Sequence, residues 1–129
     1  MSHVIPEKLK EISDKNTKKI IIYSPYNTRT FIYIEDAINI IVKLTFKKDT
    51  NKKTFNIGNE KPEYKIVDLV KVCMKVVGLK KKLVLSKSKD KILRRSPSNK
   101  YVKKFINFKV KFNLEEGIMK TYLWYKKYL

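Results

Sequence analysis

Glycine is what this chain lacks. Its 129 residues hold three, Gly58, Gly78 and Gly117, each isolated from the others. A dinucleotide-binding turn needs glycines clustered in one tight bend, so that the backbone can approach a pyrophosphate just before a helix begins. The chain therefore carries no Rossmann phosphate loop of its own. Its length fits one domain, residues 1–129, and a 43% hydrophobic content suffices for one packed core.

Other residue classes narrow the chemistry. Cys73 is the only cysteine, which excludes an internal disulfide and a cysteine-built zinc site. It falls on the apolar stripe of a predicted helix, where an inert core thiol is expected. His3 is the only histidine, so a Ser-His-Asp triad would have to use it, and no nucleophile elbow accompanies it. The pairs Glu35–Asp36 and Glu115–Glu116 each open a predicted helix, where capping and the helix dipole account for them. Tyr122 and Lys126 match a Tyr-x-x-x-Lys proton-transfer spacing, but they lie among packing aromatics with no glycine loop upstream, so the match is read as coincidence. No spacing of His, Cys and carboxylates suggests a metal, and no catalytic residue is assigned. No apolar run reaches the ~18–20 residues of a membrane span. The amino-terminal residues show no secretory pattern, so a cytoplasmic protein is expected.

Lysine and arginine number 31 against 12 acidic residues, a formal charge of +19. Such a charge suits a phosphate backbone, and a basic nucleic-acid-binding module is the alternative reading of the chain. The distribution argues against it, because the lysines are spread over nearly every segment. Neither zinc-finger spacing nor the aromatic signature of an RNA-recognition sheet is present. Arginine is rare: Arg29, Arg94 and Arg95 are the only ones. Where a generic cation serves, this sequence uses lysine. The arginines therefore mark either sites that need a planar fork for phosphate or carboxylate, or ordinary surface positions.

Periodicity predicts a helix over residues 2–15, with Ile5, Leu9 and Ile12 on one face, and strands at 20–23 and 31–34 joined by a turn at 24–27. A helix over 35–46 is apolar almost all round and is expected to be buried. A strand at 54–57 closes on Gly58, and an amphipathic helix over 66–77 stops at Gly78. A strand at 83–85, a basic loop over 86–99 and a short helix over 101–106 follow. Asn113 caps the last helix, with Glu116 in its first turn. The order describes a small mixed α/β unit.

Five segments then line up. They are Ser2-His3-Val4-Ile5-Pro6, the run from Arg29 through Phe31 and Tyr33 to Asp36, Phe55-Asn56-Ile57-Gly58-Asn59, Arg94-Arg95-Ser96-Pro97, and Leu114-Glu115-Glu116-Gly117 with Thr121, Trp124 and Tyr125. In this order and spacing they resemble the substrate-binding, carboxy-terminal part of the extended short-chain dehydrogenases, the NAD(P)-dependent sugar-nucleotide epimerases and dehydratases. The nearest branch resembles the GDP-L-fucose synthases, on the Ser-His-Val-Ile-Pro start and on Arg94-Arg95 followed by Ser98-Asn99. The turn at 24–27 is shorter than the family's, and Asn107 and Val110 replace its usual glycine and proline.

The resemblance implies a small mixed α/β substrate lobe of an extended short-chain dehydrogenase with the Rossmann half missing: a fragment, a split enzyme with a Rossmann-domain partner chain, or a remnant. It implies NAD(P) in the intact enzyme, bound mainly by that other half, no metal, and a nucleotide-diphosphate sugar as ligand. In a fucose-synthase-like enzyme the reaction would be epimerisation and reduction of a GDP-4-keto-6-deoxy sugar; alone, this chain is expected to be inactive. Arg29 would contact the diphosphate, and Arg94 or Arg95 would add a second cation from a facing loop. Tyr23 would lie near the nucleotide base, or simply pack its strand; His3 would lie near the nicotinamide, or simply begin a helix.

Overall fold

The computed structural model describes residues 3–87 and 92–128. The expected helix start at Ser2 and the middle of the basic loop, 88–91, lie outside them. The elements in chain order are α1 (Val4–Ser13), β1 (Lys19–Tyr23), β2 (Thr28–Arg29), α2 (Ile34–Thr45), β3 (Tyr64–Lys65), α3 (Ile66–Val77), β4 (Lys82–Ser86), β5 (Arg94–Arg95), a single 3₁₀ turn at Val102–Lys104, and α4 (Leu114–Tyr125).

One core dominates. Leu9 and Ile12 of α1, Leu69, Val70 and Cys73 of α3 and Ile118 of α4 pack with Ile20 and Ile22 of β1. β1 pairs in parallel with β4, from Lys19 opposite Lys82 to Tyr23 opposite Ser86. Strand alternation sends Ile20 and Ile22 inward and Tyr23 outward at the strand's end. α3 stops where Gly78 takes the left-handed conformation, φ +76°. α4 starts with the expected capping box, Asn113 accepting from the Glu116 N–H and Glu116 accepting from the Asn113 N–H.

Four expectations are corrected. The helix now seen as α2 is not buried all round. Ile40 and Leu44 pack on Val102 and Ile106 in a second, smaller cluster, while Ile34, Ile38, Ile41, Val42 and Phe46 remain exposed. Apolar periodicity reports which faces could be covered, not whether a cover is present. Residues 31–34 and 54–57 form no strand; β2 lies at Thr28–Arg29 instead. Their β-forming residues gain nothing without a neighbouring ladder. The helix expected over 101–106 is one 3₁₀ turn.

The fourth correction concerns Asp36, which does more than cap its own helix. It is 2% exposed and accepts the backbone N–H groups of Lys111 at 3.1 Å and Phe112 at 3.0 Å. It thus ties the start of α2 to the chain entering α4. Close by, a Cβ on Gly117 would stand 3.3 Å from the Cβ of Tyr33, so the small residue lets α4 approach the chain just before α2.

Candidate functional site

A small sheet in the order β3-β2-β5 carries the arginines. β2 and β5 run parallel, with Thr28 opposite Arg94 and Arg29 opposite Arg95. Arg94 and Arg95 therefore lie not on a facing loop but on the adjacent strand, about 4.8 Å away in the hydrogen-bonding direction. Asn27 anchors the junction: its carbonyl accepts from the Ile66 N–H at 3.1 Å, and its side chain donates to the Ile92 carbonyl at 3.1 Å. The Thr28 N–H donates to the Leu93 carbonyl at 2.8 Å. The Arg29 guanidinium donates to the carbonyls of Thr28, Ile92 and Leu93, at 2.8, 3.1 and 3.3 Å. The fork thereby fixes the chain leading into β5.

Arg94 and Arg95 have different surroundings. Arg94 forks onto Glu63, with Nε 2.9 and 3.0 Å from the two carboxylate oxygens and Nη2 2.6 Å from one of them. Glu63 also accepts from the Thr28 hydroxyl at 3.1 Å. The Arg94 hydrogen bonds hold the Glu63 carboxyl below its usual range, and Glu63 in turn raises Arg94. Arg95 makes no side-chain hydrogen bond or ion pair among the described residues.

The following loop is locked from behind. A Cβ on Gly58 would meet Pro97 Cγ at 2.6 Å, so the two motif loops touch only because residue 58 has no side chain. Asn99, nearly buried, donates to the Gly58 carbonyl at 2.6 Å, and its N–H donates to Glu60 at 2.9 Å. That backbone bond, followed by Lys103, lowers the Glu60 carboxyl.

These elements enclose a cavity of about 1160 Å³. His3, Tyr23, Arg29, Arg94 and Arg95, all singled out in the sequence, line it together. His3 precedes α1 without a side-chain capping bond, and Tyr23 is 61% exposed at the end of β1. No carboxylate lines the cavity among the described residues, whereas three guanidinium groups do. Among the described residues that line it, no carboxylate stands with His3 to complete a Ser-His-Asp set. Cys73 is remote in the core, its thiol pushed up to about 12 by burial. No group of three or more potential metal ligands occurs among the described residues, and no helix there is long and apolar enough to cross a membrane.

Sequence reasoning missed Glu63 and Glu60, and took Asn27 only as part of a turn and Asn99 only as part of a motif. The rarity that marked the arginines did not mark the glutamates, because the chain has 12 acidic residues against three arginines. NAD(P) does not fit this chain alone. Its glycines sit against Pro97, at the end of α3 and inside α4, and none opens a helix as a pyrophosphate cradle would require.

No family model matches the chain. It is 31% identical over 110 residues to an uncharacterized protein of Methanocaldococcus jannaschii, covering 84% of this chain and 33% of that protein. It is 26% identical over 128 residues to a probable GDP-L-fucose synthase of Oryza sativa subsp. japonica, covering 96% of this chain and 38% of that one. The chain thus spans about a third of the length of the curated relatives it matches. Among solved structures, RMD from Pseudomonas aeruginosa, complexed with NADPH, superposes with a TM-score of 0.86 at 12% identity, over 98% of this chain and 43% of that one. The fold matches part of larger solved structures that include epimerases and a dehydratase. An epimerase from Methanothermobacter thermautotrophicus gives 0.85 at 15% identity, over 98% and 38% of the two chains. The UDP-glucose 4-epimerase of Thermotoga maritima, with UDP-glucose, gives 0.76 at 20% identity, over 97% and 38%.

Proposed function

We propose that this chain is the sugar-nucleotide-binding portion of an NAD(P)-dependent epimerase/dehydratase, holding the nucleotide diphosphate at the arginine-lined cavity. One observation carries the reading: three arginines, from a chain that otherwise uses lysine, line one cavity with no carboxylate among its described walls. Arginine forks match phosphate oxygens in pairs. Tyr23 and His3, at the other strand and helix ends of the cavity, would meet the base and the nicotinamide. When bound, NAD(P) would supply the hydride chemistry from a Rossmann half. That half would pack on the open stripe of α2, consistent with neighbours more than twice as long as the part matched here. The GDP-L-fucose synthase branch is favoured by the rice relative and by Arg94-Arg95 followed by Ser98-Asn99.

Calorimetric titration with GDP, with UDP and with duplex DNA at two salt concentrations tests this. Nucleotide binding should weaken about tenfold or more in Arg29→Lys, which keeps the charge and loses the fork. Lys48→Gln, an exposed single charge, should bind as the parent does. Equal affinity for the parent and Arg29→Lys would overturn the reading. So would steeply salt-dependent DNA binding with no response to nucleotide.

A further inference from the structure

We infer that Glu63 is a positioning residue for this cavity: by capturing Arg94 it fixes the register of β5 on β2, so that Arg95 is the arginine presented to the anion. The inference rests on the diphosphate reading above. It begins with the shortness of β5. Only Arg94 and Arg95 pair with β2, and a strand that short has little of its own to hold register. Consecutive strand residues point to opposite sides, so a slip of one residue would exchange the two arginines. The Asn27 and Arg29 bonds to the Ile92 and Leu93 carbonyls hold the backbone just before β5; within β5 itself the register needs a side-chain partner for Arg94 or Arg95.

Glu63 is the partner for Arg94. Its carboxylate takes the Arg94 fork through Nε and Nη2 and also accepts from Thr28, the residue paired with Arg94 across the strands. Glu63 therefore clamps both members of one β2–β5 pair. In the other pair, Arg29 donates to the backbone carbonyls of Thr28, Ile92 and Leu93. Arg94 also borders a second cavity of about 790 Å³ on the Glu60–Lys103 side, which Arg95 does not line. Arg95 has no competing acceptor among the described residues, so its fork is available without breaking an ion pair.

The rival arrangement is that Arg94 leaves Glu63 and grips the phosphate itself. Exchanging the charges separates the two. Arg94→Glu and Glu63→Arg should each weaken GDP and UDP binding, and the double variant, which rebuilds the pair in reverse, should recover to within about threefold of the parent. Arg95→Lys should lose about tenfold or more, and Arg94→Lys, which keeps one ion-pair contact, should lose much less. An unrecovered double variant with parent-like circular dichroism would overturn the inference. So would a larger loss in Arg94→Lys than in Arg95→Lys, which is readable even where the charge-exchanged chain does not fold. Absence of nucleotide binding by the parent is a different result; it removes the diphosphate reading and this inference with it.

Discussion

α2 and α3 are both twelve residues long and both rich in Ile, Leu and Val, yet they meet opposite fates. α3 lies among α1, β3 and α4 and buries Leu69, Val70 and Cys73 completely. α2 buries Ile40, Leu44 and one carboxylate, and shows water Ile34, Ile38, Ile41, Val42 and an 84% exposed Phe46. The same local pattern is thus satisfied in one place and open in the other. An apolar helix face is a demand for a neighbour. Within this chain the demand is met for α3 and only half met for α2.

The largest expected effect measures that contrast directly. Leu69→Ala removes a fully buried side chain from the main core and should cost about 2–5 kcal/mol of unfolding free energy. Ile41→Ala, at a position half exposed, should change stability by no more than about 0.5 kcal/mol. Denaturant unfolding reads both. Cys73 gives a second readout: the buried thiol, held about 12, should ignore a thiol reagent until the core opens, and should react earlier in Leu69→Ala only. Similar losses at the two positions would mean that the α2 stripe is covered after all.

What the sequence could reveal follows the same division. The α3 stripe, the Gly78 stop and the Asn113–Glu116 capping box are local patterns closed by local partners, and all three form where spacing places them. Residues 31–34 and 54–57 carry β-forming side chains too, but a strand exists only beside another strand, and sequence composition cannot supply one. The cavity was legible through the rare arginines and, for His3 and Tyr23, through the family resemblance: His3, Tyr23, Arg29, Arg94 and Arg95 do line one space. Their arrangement was not legible. That Arg29 and Arg95 are neighbours across two parallel strands, and that Arg94 is held by Glu63, rests on pairings between residues far apart in the chain and leaves no periodic trace.

A smaller effect separates two adjacent carboxylates at the start of α2. Since the helix is fastened by few apolar contacts, the buried Asp36 should carry part of its attachment. Asp36→Ala leaves the Lys111 and Phe112 N–H groups without their acceptor and should cost about 1–3 kcal/mol. Glu35→Ala breaks only an exposed contact with Lys120 at 3.3 Å and should stay within about 0.5 kcal/mol. Equal effects would show that α2 is anchored by its apolar residues instead, and the contrast with α3 would shrink.

The gentlest perturbation is acid, and it should divide the cavity wall from the core. The main core is held by apolar packing, which does not titrate. The wall is held by Glu63 on Arg94 and Glu60 on Asn99 and Lys103, and both carboxyls lie below the ordinary glutamate value of 4.5. A group whose folded value is depressed stabilises the fold above the unfolded value and loses that contribution as pH falls through the depressed one. Acidification below about 4.5 should therefore loosen β5 and the loop behind it while β1, β4 and α3 persist. Amide NMR signals followed down the titration should move first at Arg94, Arg95 and Asn99, and later, if at all, at Ile20, Leu83 and Leu69. Glu63→Gln, which cannot lose a charge, should flatten the response at Arg94 and leave that at Asn99, where Glu60 still titrates. Simultaneous movement of wall and core, or an unchanged Arg94 response in Glu63→Gln, would show that the ion pairs do not hold the cavity in shape.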